Sequence, residues 1–174
     1  VSSAERNATW STQVLPDDRH FDKQWALRNT GQADGTADAD IDAPEAWQVG
    51  TGSGAVVAVI DTGVDASHPD LAGRVLPGRD FSGSSTGATV DRVGHGTAVA
   101  SIVAGNGTQM AGVAPDSRIL PLKVFRDSAA GFSMSGYLQA IRYAADQGAD
   151  VINISLGCGG STSCYSQAEF EALQ

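Results

Sequence analysis

The chain has 174 residues, 41% of them hydrophobic and 18% charged, with a formal net charge of −9. Such a length and balance suit a folded domain with its own core and exclude a disordered chain. The acidic balance argues against nucleic acid or an anionic membrane as partner, and the longest wholly apolar run, six residues from Ala55 to Ile60, is far too short to cross a bilayer.

In chain order, residues 1–17 read as a polar amino-terminal arm and 18–174 as the body. Around 21–27 a short turn is expected, with Trp25 packed on the body. Residues 31–40 form a Gly/Ala/Asp loop. Asp42, Pro44 and Glu45 then mark a helix start: an acid at the cap, Pro in the first turn, Glu three residues after the cap. Ala46 and Trp47 would be its buried face. Residues 55–60, rich in β-branched side chains, predict a fully buried strand. Residues 96–104 predict a helix of small residues lying close to a sheet. A second strand is expected over 119–125, with Pro121 suggesting an edge or a bulge. Met134, Tyr137, Leu138, Ile141 and Ala145 have helical spacing, and Gly148 ends that helix. A third buried strand is expected over 150–156, and another helix from 166 to 173. Alternating strands and helices predict an α/β fold: a parallel sheet with helices on both faces, and ligands at the carboxyl ends of its strands. Asp61, Phe125 and Gly157 lie at such ends.

Two motifs carry chemistry. Asp61-Thr62-Gly63 closes the first strand, and His95-Gly96-Thr97 opens the first small-residue helix. A carboxylate orienting an imidazole, which shuttles a proton for a hydroxyl, is the logic of a nucleophilic triad, and Asp, His, Ser is one of its known orders. Each motif also has a plainer reading: Asp61 as a turn residue and His95 as a helix-end residue. Asp-Thr-Gly is also the loop of aspartic proteases, which need two copies, so here a homodimer. Residues 153–157, Asn-Ile-Ser-Leu-Gly, read either as a core strand with a turn or as an edge that pairs with an extended peptide, Gly157 leaving room for a side chain. The segment 129–132, with Gly131, could form the opposite wall. Cys158 and Cys164 flank a Gly/Ser-rich loop short enough for disulfide reach, and their spacing excludes a CxxC redox motif; two free thiols are the alternative.

Together these residues resemble the subtilisin-like serine proteases, the subtilases. The matching motifs are Val59-Ile60-Asp61-Thr62-Gly63-Val64-Asp65 with His68-Pro69-Asp70-Leu71, then Gly94-His95-Gly96-Thr97-Ala98-Val99-Ala100. Gly112-Val113-Ala114-Pro115, Leu122-Lys123-Val124 and the 153–157 segment follow in family order. Trp25 with Asn29-Thr30-Gly31, and Ala43-Pro44-Glu45-Ala46-Trp47, resemble the mature amino-terminal region. The resemblance covers residues 16 to 174. It implies a serine endopeptidase acting on polypeptides, with Asp61 and His95 as two triad members and Ser155, Leu156 and Gly157 lining the primary specificity pocket. With the rest of the chain considered, the Cys158–Cys164 disulfide, and with it secretion, is the favoured reading.

The departures from the family are informative. Its nucleophile sits in a Gly-Thr-Ser-Met-like motif at a helix start, and no such motif occurs in these residues; Ser133-Met134-Ser135 lacks the context. Its oxyanion Asn would fall beyond Gln174. The expectation is therefore the amino-terminal part of a catalytic domain, incomplete at its carboxyl end and inactive alone, with the Ser and the Asn supplied from elsewhere, including from a second chain. The alternative is a non-catalytic module that binds a peptide or partner. Ala98 stands where many members have a second His, and Asp-Thr-Gly in place of Asp-Asp-Gly speaks against the convertases that cleave at basic pairs. Val1 to Asn7 resemble the last strand of a propeptide, which would put a processing site between Asn7 and Asp18; an ordinary polar arm is the alternative. The chain opens without Met or a signal-like segment, so any targeting sequence is expected to be removed or outside it.

The resemblance further implies a structural calcium site from Asp18, Asp70 and the 105–110 loop, with Asn106 as side-chain ligand, since oxygen donors suit calcium; solvated acids are the alternative, and no organic cofactor is implied. Asp38, Asp40 and Asp42 read as loop polarity plus a helix cap. Asn7-Ala8-Thr9 and Asn106-Gly107-Thr108 fit glycosylation sequons, which recur by chance.

Overall fold

Val56–Asp61 forms strand β1, whose side chains alternate between two buried faces. The structure, a computed structural model, describes residues 15–128, 131–157 and 166–173. Three further strands, β2 (Arg79–Asp80), β3 (Arg118–Lys123) and β4 (Val151–Asn153), join β1 in one sheet of order β2-β3-β1-β4, with every pairing parallel. The helices are α1 (Ala43–Trp47), α2 (His95–Ala104), α3 (Met134–Asp146) and α4 (Gln167–Ala172).

The two faces of the sheet are covered by different helices. Ala58, Ile60, Leu120 and Leu122 meet Tyr137, Ala140, Ile141 and Ala144 of α3. Val57, Val59 and Ile119 meet Ala100 and Ala104 of α2, with Val64 and Leu71 from the loop after β1. This is the α/β architecture expected from the alternating pattern. Phe21, Leu27, Ala43 and Ala111 form a smaller cluster, against which Leu15 and Trp47 pack. No described helix is long and apolar enough to cross a membrane.

Several local expectations need correction. Trp25 is 56% exposed, and Phe21 and Leu27 supply the burial instead. In α1 the buried residues are Ala43 and Pro44, while Trp47 is half-buried with its ring 6.1 Å from that of Phe21. Asp42 stands at the cap position without capping; its own N–H donates to Asp40 Oδ1. The buried stripe of α3 contains Ala140 and Ala144 rather than Met134 and Ala145, which face solvent.

β3 lies inside the sheet, not at an edge. Its Pro121 is tolerated because the missing N–H faces the irregular stretch before β2, where one more residue separates Val75 from Arg79 than separates Ile119 from Leu122. β4 is shorter and more exposed than the buried strand expected there, with Val151 53% exposed at the sheet edge.

Candidate active site

β1 delivers Asp61 to its carboxyl end fully buried. The sheet fixes its backbone, since the Asp61 carbonyl accepts from the Val124 N–H. α2 begins at His95, and its ring Nδ1 lies 2.7 Å and 2.9 Å from the two carboxylate oxygens of Asp61. The other side of the imidazole faces outward, for the His95 side chain is 53% exposed while that of Asp61 is wholly enclosed. A buried carboxylate on Nδ1 favours the tautomer that leaves Nε2 free to take a proton.

The two elements approach closely because the residues between them are small. A Cβ on Gly96 would stand 2.1 Å from the Gly63 carbonyl oxygen and 3.0 Å from the Asp61 Cβ. Gly63 itself has φ +106°, in the left-handed region, and a Cβ there would strike the Val90 carbonyl oxygen at 2.6 Å. The glycines on both sides thus let the strand end, the helix start and the 86–91 loop share one small volume.

Polar bonds then stitch the parts together. The Gly96 N–H donates to Thr62 Oγ1 (2.9 Å), and the Thr62 hydroxyl donates to Asp91 Oδ1 (3.0 Å). Asp91 Oδ2 accepts from the Thr97 N–H (3.0 Å) and the Thr97 hydroxyl (2.7 Å), which in turn accepts from the Asp65 N–H. Burial alone would raise the Asp91 carboxyl pKa, but these bonds and those from the Gly94 and Val93 N–H groups hold it below its usual range.

Beneath the same loop lies Lys123, with no exposed surface. Its ammonium donates to Asp127 Oδ1 (2.7 Å), Thr86 Oγ1 (3.1 Å) and the Val90 carbonyl (3.1 Å). The hydrogen bond from Lys123 leads the causes that lower the Asp127 pKa. Asp91 and Lys123 carry no role in the sequence reading. Asp91 lies three residues before Gly94, which holds the cap position, so the ordinary capping signature does not mark it; Lys123 has Asp127 four residues on, but Thr86 and Val90 reach it from a loop far along the chain.

The residues expected at the substrate strand are only partly gathered. Leu156 and Gly157 line a hollow of about 300 Å³ with Phe132, Met134, Tyr137, Ile154 and Glu169. Among the described residues, a Cβ on Gly157 would meet nothing within 4 Å. Across its floor the Tyr137 hydroxyl donates to Glu169 Oε1 at 2.6 Å; burial first, then that carboxylate, drive the phenol pKa well upward. Ser155 is exposed outside this hollow and accepts from Asn153 Nδ2. Gly131 is also outside it, beside Phe132, which bridges to Phe125. A larger hollow, about 620 Å³, backs onto the first turns of α2 beside Asp65, His68 and Asp70 and does not include Asp61 or His95.

Of the expected calcium ligands, Asp18 has a buried Oδ2 without a hydrogen-bond partner, the one such side-chain atom among the described residues. Asp70 Oδ1 accepts from the Gln109 N–H, and Asn106 Oδ1 from the Thr108 N–H and hydroxyl. Among the described residues no three His, Cys, Asp or Glu side chains converge as a metal set. Cys158 and Cys164 lie outside the described residues, as do Asn7 and the propeptide-like segment.

Known proteins resemble this chain in sequence, and solved structures resemble it in fold. Thermitase from Thermoactinomyces vulgaris is 44% identical over 131 residues, which make up 74% of this chain and 46% of thermitase. The thermophilic serine proteinase of Bacillus sp. (strain AK1) is 40% identical over 173 residues, 97% of this chain and 40% of its own length. Among solved structures, a protease from Pseudoalteromonas arctica superposes with a TM-score of 0.75 at 29% identity, over 92% of this chain and 55% of that one. MycP1 with its N-terminal propeptide removed gives 0.62 at 33% identity, over 76% and 41%. The chain thus spans less than half the length of these two curated relatives. Residues 52–173 match the pattern of the subtilase family, and on that match and these relatives the chain belongs to the subtilase family.

Proposed function

We propose that this chain is the part of a secreted serine endopeptidase that supplies the Asp and the His of an Asp-His-Ser triad. The observation that carries the reading is the 2.7 Å contact from His95 Nδ1 to a fully buried Asp61, with the far side of the ring open to solvent. His95 Nε2 takes the proton of an attacking serine hydroxyl and returns it to the leaving amine. Asp61 fixes the tautomer and stabilises the imidazolium. The serine and the donors for the oxyanion come from sequence other than these residues. The extended substrate lies along 155–157, with Ser155, Leu156 and Gly157 on one side and Gly131 on the other. An aspartic mechanism at Asp61 is disfavoured, because its carboxylate is already engaged by the ring of His95 and the N–H of Thr62.

The test compares this chain with a longer protein in which a serine-bearing segment is joined to its carboxyl end. The 174-residue chain should turn over no peptide and resist a fluorophosphonate. The longer protein should hydrolyse peptides, take up the label, and lose roughly 10⁴-fold or more in kcat on His95→Ala. Turnover by the chain alone, or undiminished activity in the His95 variant, would overturn the reading. If neither protein turns peptide over and both still bind it along 155–157, the chain is a binding module instead.

A structural calcium ion belongs to the same proposal, held by Asp18, Asp70 and Asn106 with backbone oxygens of the 105–110 loop. The buried, unpartnered Asp18 Oδ2 supports it. A chelator should lower the melting temperature, and an unchanged melt removes the ion.

A further inference from the structure

Asp61 and His95 are held unequally. Asp61 is enclosed and its backbone is locked into the sheet through Val124. His95 is half exposed, and it sits at the first residue of its helix, where backbone groups lack partners within the helix. Besides the Asp61 contact, the ring's position depends on how the first turn of α2 is anchored.

That anchoring converges on one carboxylate. Asp91 Oδ2 receives the Thr97 N–H and hydroxyl, fastening the first turn of α2, and Oδ1 receives the N–H groups of Val93 and Gly94, fastening the chain that leads into His95. Oδ1 also receives the hydroxyl of Thr62, the residue that follows Asp61, and the same hydroxyl accepts from the N–H of Gly96, the residue that follows His95. An ordinary helix cap would bind only its own helix. Asp91 thus bonds directly to Thr62 beside Asp61 and, through the Thr62 hydroxyl, to the N–H of Gly96 beside His95, as well as to the helix end.

We propose that Asp91 is a positioning residue, which holds the His95 imidazole in register with Asp61 through Thr62 and the first turn of α2. The consequence for turnover rests on the protease reading above; the geometric role does not. Asp91→Asn keeps the shape but puts an amide donor where one oxygen accepts, so it cannot satisfy all these N–H and O–H groups.

The test is the tautomer of His95, read from two-bond ¹H–¹⁵N correlations of the ring in the 174-residue chain at a pH where the imidazole is neutral. A purely structural role would lower stability and leave this signature in place. In the wild type the Nδ1–H form should dominate. In Asp91→Asn the Nε2–H form should rise about threefold or more, as the ring loses register with its acceptor. In the longer protein the same variant should lose about ten-fold or more in kcat with KM nearly unchanged, the pattern of a misplaced catalytic group. A folded Asp91→Asn variant with the wild-type tautomer would overturn the proposal. If that variant does not fold, Thr62→Val carries the test, because it removes only the bridging hydroxyl; an unchanged tautomer there overturns the proposal equally. A tautomer shift together with no peptidase activity in the longer wild-type protein would support Asp91 as a positioning residue and sink the protease reading.

Discussion

The two rims of the sheet that concern function are built differently. At the β1–α2 rim, Asp61, Thr62, Gly63, His95, Gly96 and Thr97 are joined by short hydrogen bonds and by contacts too tight for a side chain on either glycine. At the β4 rim the strand has three residues and Val151 is exposed; among the described residues Ser155 bonds to Asn153, and a Cβ on Gly157 would meet nothing within 4 Å. One rim is preorganised by its own sequence; the other offers backbone and a hollow. On the proposed reading the difference would suit a division of labour: proton-transfer groups would be held in advance, while a surface receiving an extended chain would gain its partners on binding.

Substitutions can break or sharpen that contrast. The largest effect should come from Gly96→Ala, whose new methyl has no room against the Gly63 carbonyl. It should cost roughly 3 kcal/mol, read as a shift in the urea midpoint; an unshifted midpoint would mean that the first turn of α2 is loosely held. Lys123→Met keeps the buried stem and removes the ammonium from Asp127, Thr86 and the Val90 carbonyl. It should cost about 2 kcal/mol, at the modest end for a buried ion because Asp127 is 32% exposed and can be hydrated.

A pH series probes the same rim more gently. The Asp91 and Asp127 carboxyls are held below their ordinary value of 3.8 in the folded chain. Stability from a depressed carboxyl is present above the unfolded pKa and is lost as pH falls through the folded one. Unfolding free energy should therefore decline below about pH 4, and Asp91→Asn should flatten part of that decline. The smallest effect belongs to the other rim: Ser155→Ala should change stability by less than about 0.5 kcal/mol in the same urea assay. A larger loss would show that the β4 rim is as tightly built as the first.

The helices, strands and sheet type were legible where residues repeat with a clear period. The β-branched run from Val56 to Ile60 read as a strand buried on both faces, and Tyr137 with Ile141 read as one stripe of a helix; both lie in the core. Errors fell where burial depends on distant neighbours. Trp25 looks like a core residue by type, yet Phe21 and Leu27 occupy the space. Pro121 looks like an edge residue, yet an irregular neighbouring segment lets β3 lie inside the sheet. Asp42 has the composition of a cap, but its backbone conformation at φ +52° accompanies no capping bond.

By itself the sequence determined the periodic elements, the placement of an aspartate at a strand end and a histidine at a helix start, and the small residues that let those ends meet. These are local properties, set by side-chain spacing and by backbone permissiveness. Only the tertiary structure decided which carboxylate joins the two ends, that Lys123 is buried beneath them, and that Leu156 and Gly157 share a hollow while Ser155 and Gly131 lie outside it. Those relations link residues far apart in the chain, and hydrogen-bond partners at such separations are fixed by packing of the whole sheet, which no local pattern encodes.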